Sequence, residues 1–239
     1  MTVGLPDPEP APREASYAFR YRLPEEFVKV SAPDTAEGWA TAMAELMPAA
    51  TNDERDQAAA EMNRCLPWLI DSGETPVDIA LCTGIEEVDG AARLSLGLLI
   101  VTVRPSNHRD QLLSAEGIYR AKGKRFFAKE SQIEDLDFPL GKGFQGRQDS
   151  LLAAKLPCGP GVMSVSLRSV EARIPRGAAH LPNASSTKRI PMAVLQLIIP
   201  APNDYCVYIT ISTPSVYLLN SYCGRLAHIG RTFRFDRTD

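Results

Sequence analysis

Apolar and polar residues alternate most regularly toward the C-terminus, where Met192 to Ile199 and Tyr205 to Ser212 each read as a strand with one dry face. The turn residues Pro200-Ala201-Pro202-Asn203-Asp204 between them predict an antiparallel pair. The pattern then takes a helical period. Thr213-Pro214 puts a proline at a first helical position, and Val216, Leu219, Tyr222, Cys223, Leu226 and Ile229 form one apolar stripe. Phe233 and Phe235 predict a short closing strand.

Upstream, Tyr17, Phe19 and Tyr21 alternate with polar residues through Arg22, and Leu23-Pro24-Glu25-Glu26 turns this strand into Phe27 to Val30. Asp34 is placed to cap a helix from Thr35 to about Met47, with Trp39, Met43, Leu46 and Met47 inward and Pro48 ending it. Thr51 and Glu54 have the spacing of a capping box, in which hydroxyl and carboxylate each satisfy a free backbone amide. The helix that follows is expected to run through Arg64, with Pro67 breaking its last turn.

Asp89-Gly90 supplies the positive φ angles of a type I′ turn, so Val77 to Val88 and Ala91 to Arg104 read as a hairpin, with Val77, Ile79 and Leu81 facing one layer. Ser106 is expected to cap a helix reaching Lys122, its stripe being Leu112, Leu113, Ile118 and Tyr119. Leu151 to Leu156 and Val162 to Arg173 read as strands around Pro157-Cys158-Gly159-Pro160-Gly161. Phe138 to Asp149 and Ile174 to Arg189 read as long loops.

These elements predict an α+β fold, a largely antiparallel sheet of about six to eight strands with helices packed on it in a sandwich-like arrangement. One domain is expected over residues 17–239, preceded by a disordered tail, since residues 1–16 carry four prolines and few large apolar side chains. A chain of 239 residues, 44% hydrophobic and 23% charged, can bury a sizeable core. Its net charge of -3 gives no global attraction to nucleic acid or an anionic membrane, and neither partner is expected. The N-terminus has no basic or apolar signal region, and Leu94 to Val103, like Met192 to Ile199, has about half the ~20 apolar residues a membrane span needs. A cytoplasmic protein without membrane insertion is the expectation.

Chemistry-bearing patterns are sparse. Gly141-Lys142-Gly143-Phe144-Gln145-Gly146 matches GxGxxG but follows Pro139 and opens no apolar-periodic helix, so a loop rather than a dinucleotide site is expected. His108, His180 and His228 have no partner at ligand spacing, and Cys65, Cys82, Cys158, Cys206 and Cys223 show no CxxC; no metal, no cofactor and no disulfide framework is expected. Glu86, Glu87 and Asp89, and Glu134, Asp135 and Asp137, read as solvated edge charges rather than a catalytic pair. Arg120, Lys122, Lys124 and Arg125 before Phe126 and Phe127 read as a solvated helix end, although such a run can also touch phosphate and stack on a base. No catalytic residue is assigned.

The segments Tyr21 to Phe27, Leu195 to Pro200, Ile209 to Pro214 and Thr232-Phe233-Arg234-Phe235 resemble the PsbP-like α/β/α sandwich, shared by photosystem PsbP proteins, Ran-binding Mog-type proteins, bacterial lipoproteins and secretion-effector chaperones. The chain departs from the lipoprotein members in lacking a signal and a lipid-attachment cysteine. The resemblance implies a non-catalytic adaptor or accessory chaperone with a protein partner.

The residues themselves point the same way. Ser164, Ser166, Arg168, Gln196, Tyr208 and Thr210 form a semi-polar sheet face opposite the dry Val165, Leu167, Leu195, Leu197, Ile209 and Ile211. Arg168, Gln196 and Tyr208 are the expected partner-binding residues, because Arg and Tyr are favoured interface anchors. The alternatives are a structural subunit of a larger assembly and an enzyme whose site is assembled from the glycine loop, His108 or His180.

Overall fold

Strands with one dry face must pair and then cover that face, and the chain does both. The structure is a computed structural model that describes residues 19–33, 35–69, 75–106, 109–126, 149–173, 187–202 and 204–236. It is an α+β fold. In chain order the elements are β1 (Phe19–Arg20), β2 (Phe27–Lys29), α1 (Ala36–Leu46), α2 (Asn52–Leu69), β3 (Thr75–Val88), β4 (Ala91–Pro105), α3 (Gln111–Phe126), β5 (Ser150–Leu156), β6 (Gly159–Arg173), β7 (Thr187–Pro200), β8 (Tyr205–Thr213), α4 (Leu219–Thr232) and β9 (Arg234–Phe235).

Seven strands form one sheet in the order β2-β3-β4-β8-β7-β6-β5, every pairing antiparallel, while β1 and β9 pair as a separate two-stranded ribbon. On one face Leu99, Val101, Leu195, Leu197, Ile209 and Ile211 pack with Tyr222, Leu226, Ile229 and Phe233 from α4 and its end. On the other, Ile79, Leu81, Leu98 and Ile100 meet Trp39, Ala42 and Met43 of α1 and Ala59 of α2. The second face also carries α3 toward β5, β6 and β7. Helices therefore cover both faces of the sheet.

The β3–β4 hairpin turns at Asp89 and Gly90, with φ angles of 52° and 75°, as a type I′ turn requires. Thr51 and Glu54 form the expected capping box, the Thr51 amide donating to Glu54 Oε2 at 2.8 Å.

Several local expectations are corrected. The cap of α1 is Thr35, whose Oγ1 accepts from the Gly38 amide at 3.1 Å; Asp34 lies outside the described residues. The helix α2 runs past Arg64 and Pro67 to Leu69. A register shift between Pro76 and Asp78 turns Val77 out of the layer of Ile79 and Leu81. Asp110, not Ser106, caps α3, its Oδ1 accepting from the amides of Leu112 and Leu113 at 2.8 and 3.0 Å.

The inner face of α3 is not the expected stripe either. Leu112, Leu113 and Tyr119 are exposed, Ile118 alone of the expected stripe is half-buried, and Ser114 and Ala115 are buried beside it. Pro157-Cys158 alone turns β5 into β6, since Leu156 pairs with Gly159. Thr213 ends β8 rather than starting α4; its Oγ1 donates to the Leu96 carbonyl at 2.5 Å, and a 3-10 turn at Val216–Leu218 leads into the helix. The glycine loop, His108, His180, Cys65's side chain, Glu134, Asp135, Asp137 and the tail lie outside the described residues.

Candidate functional site

The chain on either side of α1 is tied to the helix pair. Trp39 Nε1 donates to the Pro33 carbonyl at 2.7 Å, and Arg55 donates to the carbonyls of Met47 and Pro48 at 3.0 and 2.7 Å. This holds the helix pair over β3 and β4 but stops short of β7. The space left is a groove of about 360 Å³, lined by Met43, Leu46 and Met47 of α1, Ala58 and Met62 of α2, Leu81, Leu96 and Leu98 of the hairpin, Met192 of β7 and Ser212 of β8. Four of the six methionines of the chain, Met43, Met47, Met62 and Met192, converge here from α1 and its C-cap, from α2 and from the distant strand β7.

The groove opens onto an apolar surface. Ile85 pairs with Leu94 and Thr83 with Leu96 at the end of the hairpin that the helices leave uncovered. Ile85 is 76% exposed, Leu94 52% and Leu96 36%, so the apolar surface continues out of the groove. Methionine suits such a place because its unbranched, polarizable side chain repacks around different shapes.

The middle of the same sheet face holds the residues expected to bind a partner. Met192, Val194 and Gln196 of β7 and Tyr208, Thr210 and Ser212 of β8 are all half-buried in the strip between the α1–α2 pair and α3. Gln196 Nε2 donates to Thr210 Oγ1 at 3.0 Å across the strand pair. The Arg104 guanidinium lies 4.8 Å from the centre of the Tyr208 ring, and burial raises the Tyr208 hydroxyl pKa. Arg168 is exposed and pairs in register with Met192. It therefore sits beside the groove, four residues or roughly 13 Å along the strands from Gln196. The three residues share one face but not one cluster. Ser164 is buried, and the amine of Lys122 on α3 donates to its hydroxyl at 3.1 Å.

Other chemistry is thin among the described residues. The basic run on α3 is divided, with Lys122 aimed at the sheet and Arg120 paired to Glu116 at 2.5 Å. Burial raises the thiol pKa values of Cys82, Cys158, Cys206 and Cys223, away from the thiolate that nucleophilic attack requires. These four cysteines are free. His228 is exposed on α4. Among the described residues no three His, Cys, Asp or Glu side chains gather as metal ligands, and no helix is long and apolar enough to cross a membrane.

No protein-family model matches the chain, and no curated protein matches it significantly. The reading of function therefore rests on the groove. Its inner wall was visible in sequence as the stripe of Met43, Leu46 and Met47, but the far wall comes from Met192, which only the pairing of β7 with β8 brings within reach of α1.

Proposed function

We propose that this chain is a non-catalytic, cytoplasmic protein-binding adaptor or accessory chaperone that holds an apolar segment of an exported or assembled partner in the methionine-lined groove. The observation that carries this is the groove itself, an open apolar channel with four methionines and an apolar rim. The floor strands β4, β8 and β7 pair with one another up to Leu98 and Ala193, and beyond the end of β8 the Leu94 and Leu96 backbone is bonded to the side chains of Thr213 and Ser215, so an occupant binds through its side chains, as an amphipathic helix does.

Charge narrows the occupant further. Glu37, Glu45, Asp53, Glu54 and Asp56 are exposed on α1 and α2, whereas Arg55 is engaged with backbone carbonyls. A helix with an apolar face flanked by Lys or Arg is therefore the fitting partner segment. The resemblance to the PsbP-like sandwich belongs to this proposal, and helices on both sheet faces support it.

A photo-crosslinking residue at Met47 in the native host tests the reading. A discrete adduct with one protein is expected from Met47 and not from Glu116 on α3. Absence of any adduct, or equal labelling from both positions, counts against it. A structural subunit is the second reading, favoured by exposed Leu112, Leu113 and Tyr119 on α3.

A further inference from the structure

The ribbon of β1 and β9 brings arginines from opposite ends of the described chain together. Phe19 pairs with Phe235 and Arg20 with Arg234, and the Arg22 amide donates to Thr232 Oγ1 at 3.0 Å. Beneath them Phe233 is fully buried, its ring stacked 5.2 Å from that of Phe19 and 6.2 Å from that of Tyr21. A cavity of about 450 Å³ lies on this support, lined by Arg20, Tyr21, Arg22, Arg231, Thr232 and Arg234.

Four arginines line one cavity, where like charges repel, and among the described residues few groups offset them. Asp236 pairs with Arg20 at 3.4 Å, and Arg234 Nη1 donates to the carbonyls of Arg231 and Phe233 at 3.0 and 2.6 Å. Arg22 and Arg231 make no side-chain hydrogen bond or ion pair among the described residues. A helix C-terminus favours cations, which accounts for Arg231 and Arg234 at the end of α4. It does not account for Arg20 and Arg22, which arrive from the other end of the fold.

We propose that this cavity binds a compact, multiply charged oxyanion of the pyrophosphate type. The guanidinium fork matches phosphate oxygens bidentately, and the stacked rings of Phe19, Tyr21 and Phe233 fix the two backbone segments from which the arginines project. The site is independent of the methionine groove, which lies against α1 and α2.

Calorimetric titration of the full chain with inorganic pyrophosphate at constant ionic strength is the test. Saturable binding is expected, with inorganic sulfate weaker, and roughly tenfold loss of affinity in the Arg22→Gln/Arg231→Gln double variant. An Arg109→Gln/Lys155→Gln variant removes the same charge from exposed positions elsewhere and is expected to bind as the parent does. Equal loss in both variants would mean general charge attraction and overturn the proposal, as would absence of saturable heat. Saturable binding of a single-stranded oligonucleotide with none of pyrophosphate also overturns it. The double variant should melt at or above the parent temperature without ligand, because repulsion is relieved; a drop of several degrees would make the arginines structural and sink the assignment.

Discussion

Arg225 Nη2 donates to Glu86 Oε1 at 2.7 Å, joining α4 to the far part of β3. The guanidinium is 7% exposed as a residue, lies 4.6 Å from the centre of the Tyr222 ring, and has Glu26 at 3.6 Å as a second carboxylate. Its Nε and Nη1 have no hydrogen-bond partner among the described residues. Glu86 also accepts from Ser221 Oγ at 2.8 Å. Glu86 is thus a tie between sheet and helix rather than the solvated edge charge its sequence context suggests.

The pair predicts an acid-sensitive fold. Burial acts to raise the Glu86 pKa, but hydrogen bonds from Ser95, Arg225 and Ser221, with the charge of Arg225, outweigh it and hold the carboxyl below its ordinary 4.5. The folded chain therefore binds this proton less readily than the unfolded chain. The stabilisation is full above the ordinary value and is lost as pH falls through the depressed one. Glu86→Gln should cost about 1–3 kcal/mol near neutrality, the usual loss for a charge-assisted hydrogen bond. Melting curves of both proteins should converge as the pH falls below the ordinary carboxylate value; parallel curves would show that the pair adds nothing.

Close packing beside this pair predicts a second sensitivity. A Cβ at Gly97 would meet Tyr222 Cε1 at 2.7 Å and the Tyr222 hydroxyl at 3.0 Å. The ring has little freedom to yield, because its hydroxyl is 2.9 Å from Ser95 Oγ and Arg225 covers its face. Gly97→Ala is expected to destabilise by about 1–3 kcal/mol in denaturant unfolding, the typical cost of overpacking. A neutral result would mean that β4 and α4 are less tightly apposed.

Leu226 is fully buried on the sheet-facing side of α4. Leu226→Ala should cost roughly 2–5 kcal/mol, read from the same unfolding measurement. A change of a few tenths would place α4 at the surface.

These elements differ in how plainly the sequence announces them. The Asp89-Gly90 hairpin, the Thr51–Glu54 capping box and the stripe of Tyr222, Leu226 and Ile229 are local, since each interaction joins residues close in sequence or repeats one period. The inner face of α3 was illegible because Lys122, a charged residue, turns its amine to the buried Ser164 hydroxyl, while exposed Leu112 and Leu113 imitate a core stripe. The groove and the arginine cavity were illegible for another reason. Met62 and Met192, or Arg22 and Arg231, become neighbours only through strand order, which no local period encodes.

At the mouth of the groove, Leu96 is 36% exposed and its backbone, not its side chain, holds Thr213. Leu96→Glu should therefore change stability by no more than about 0.5 kcal/mol, as surface substitutions do. It should nevertheless abolish crosslinking from Met47 and lower the fluorescence of an apolar dye bound to the chain. Undiminished crosslinking would move the docking site off this rim.

Arg168, Gln196 and Tyr208 separate into two experiments. Arg168 is exposed opposite Met192, so Arg168→Ala should weaken partner capture while leaving the melting temperature unchanged, consistent with a rim residue whose backbone pairing is intact. Tyr208 is half-buried beneath the Arg104 guanidinium on the sheet face between the α1–α2 pair and α3. Tyr208→Ala removes that ring and its contacts, and a loss of about 1–3 kcal/mol is expected before any effect on binding is read. Comparing Arg168→Ala with Tyr208→Phe, which keeps the ring, isolates the contact surface from the fold. Loss of capture in Tyr208→Phe with full capture in Arg168→Ala would shift the partner's path from the methionine groove to the strip between the α1–α2 pair and α3.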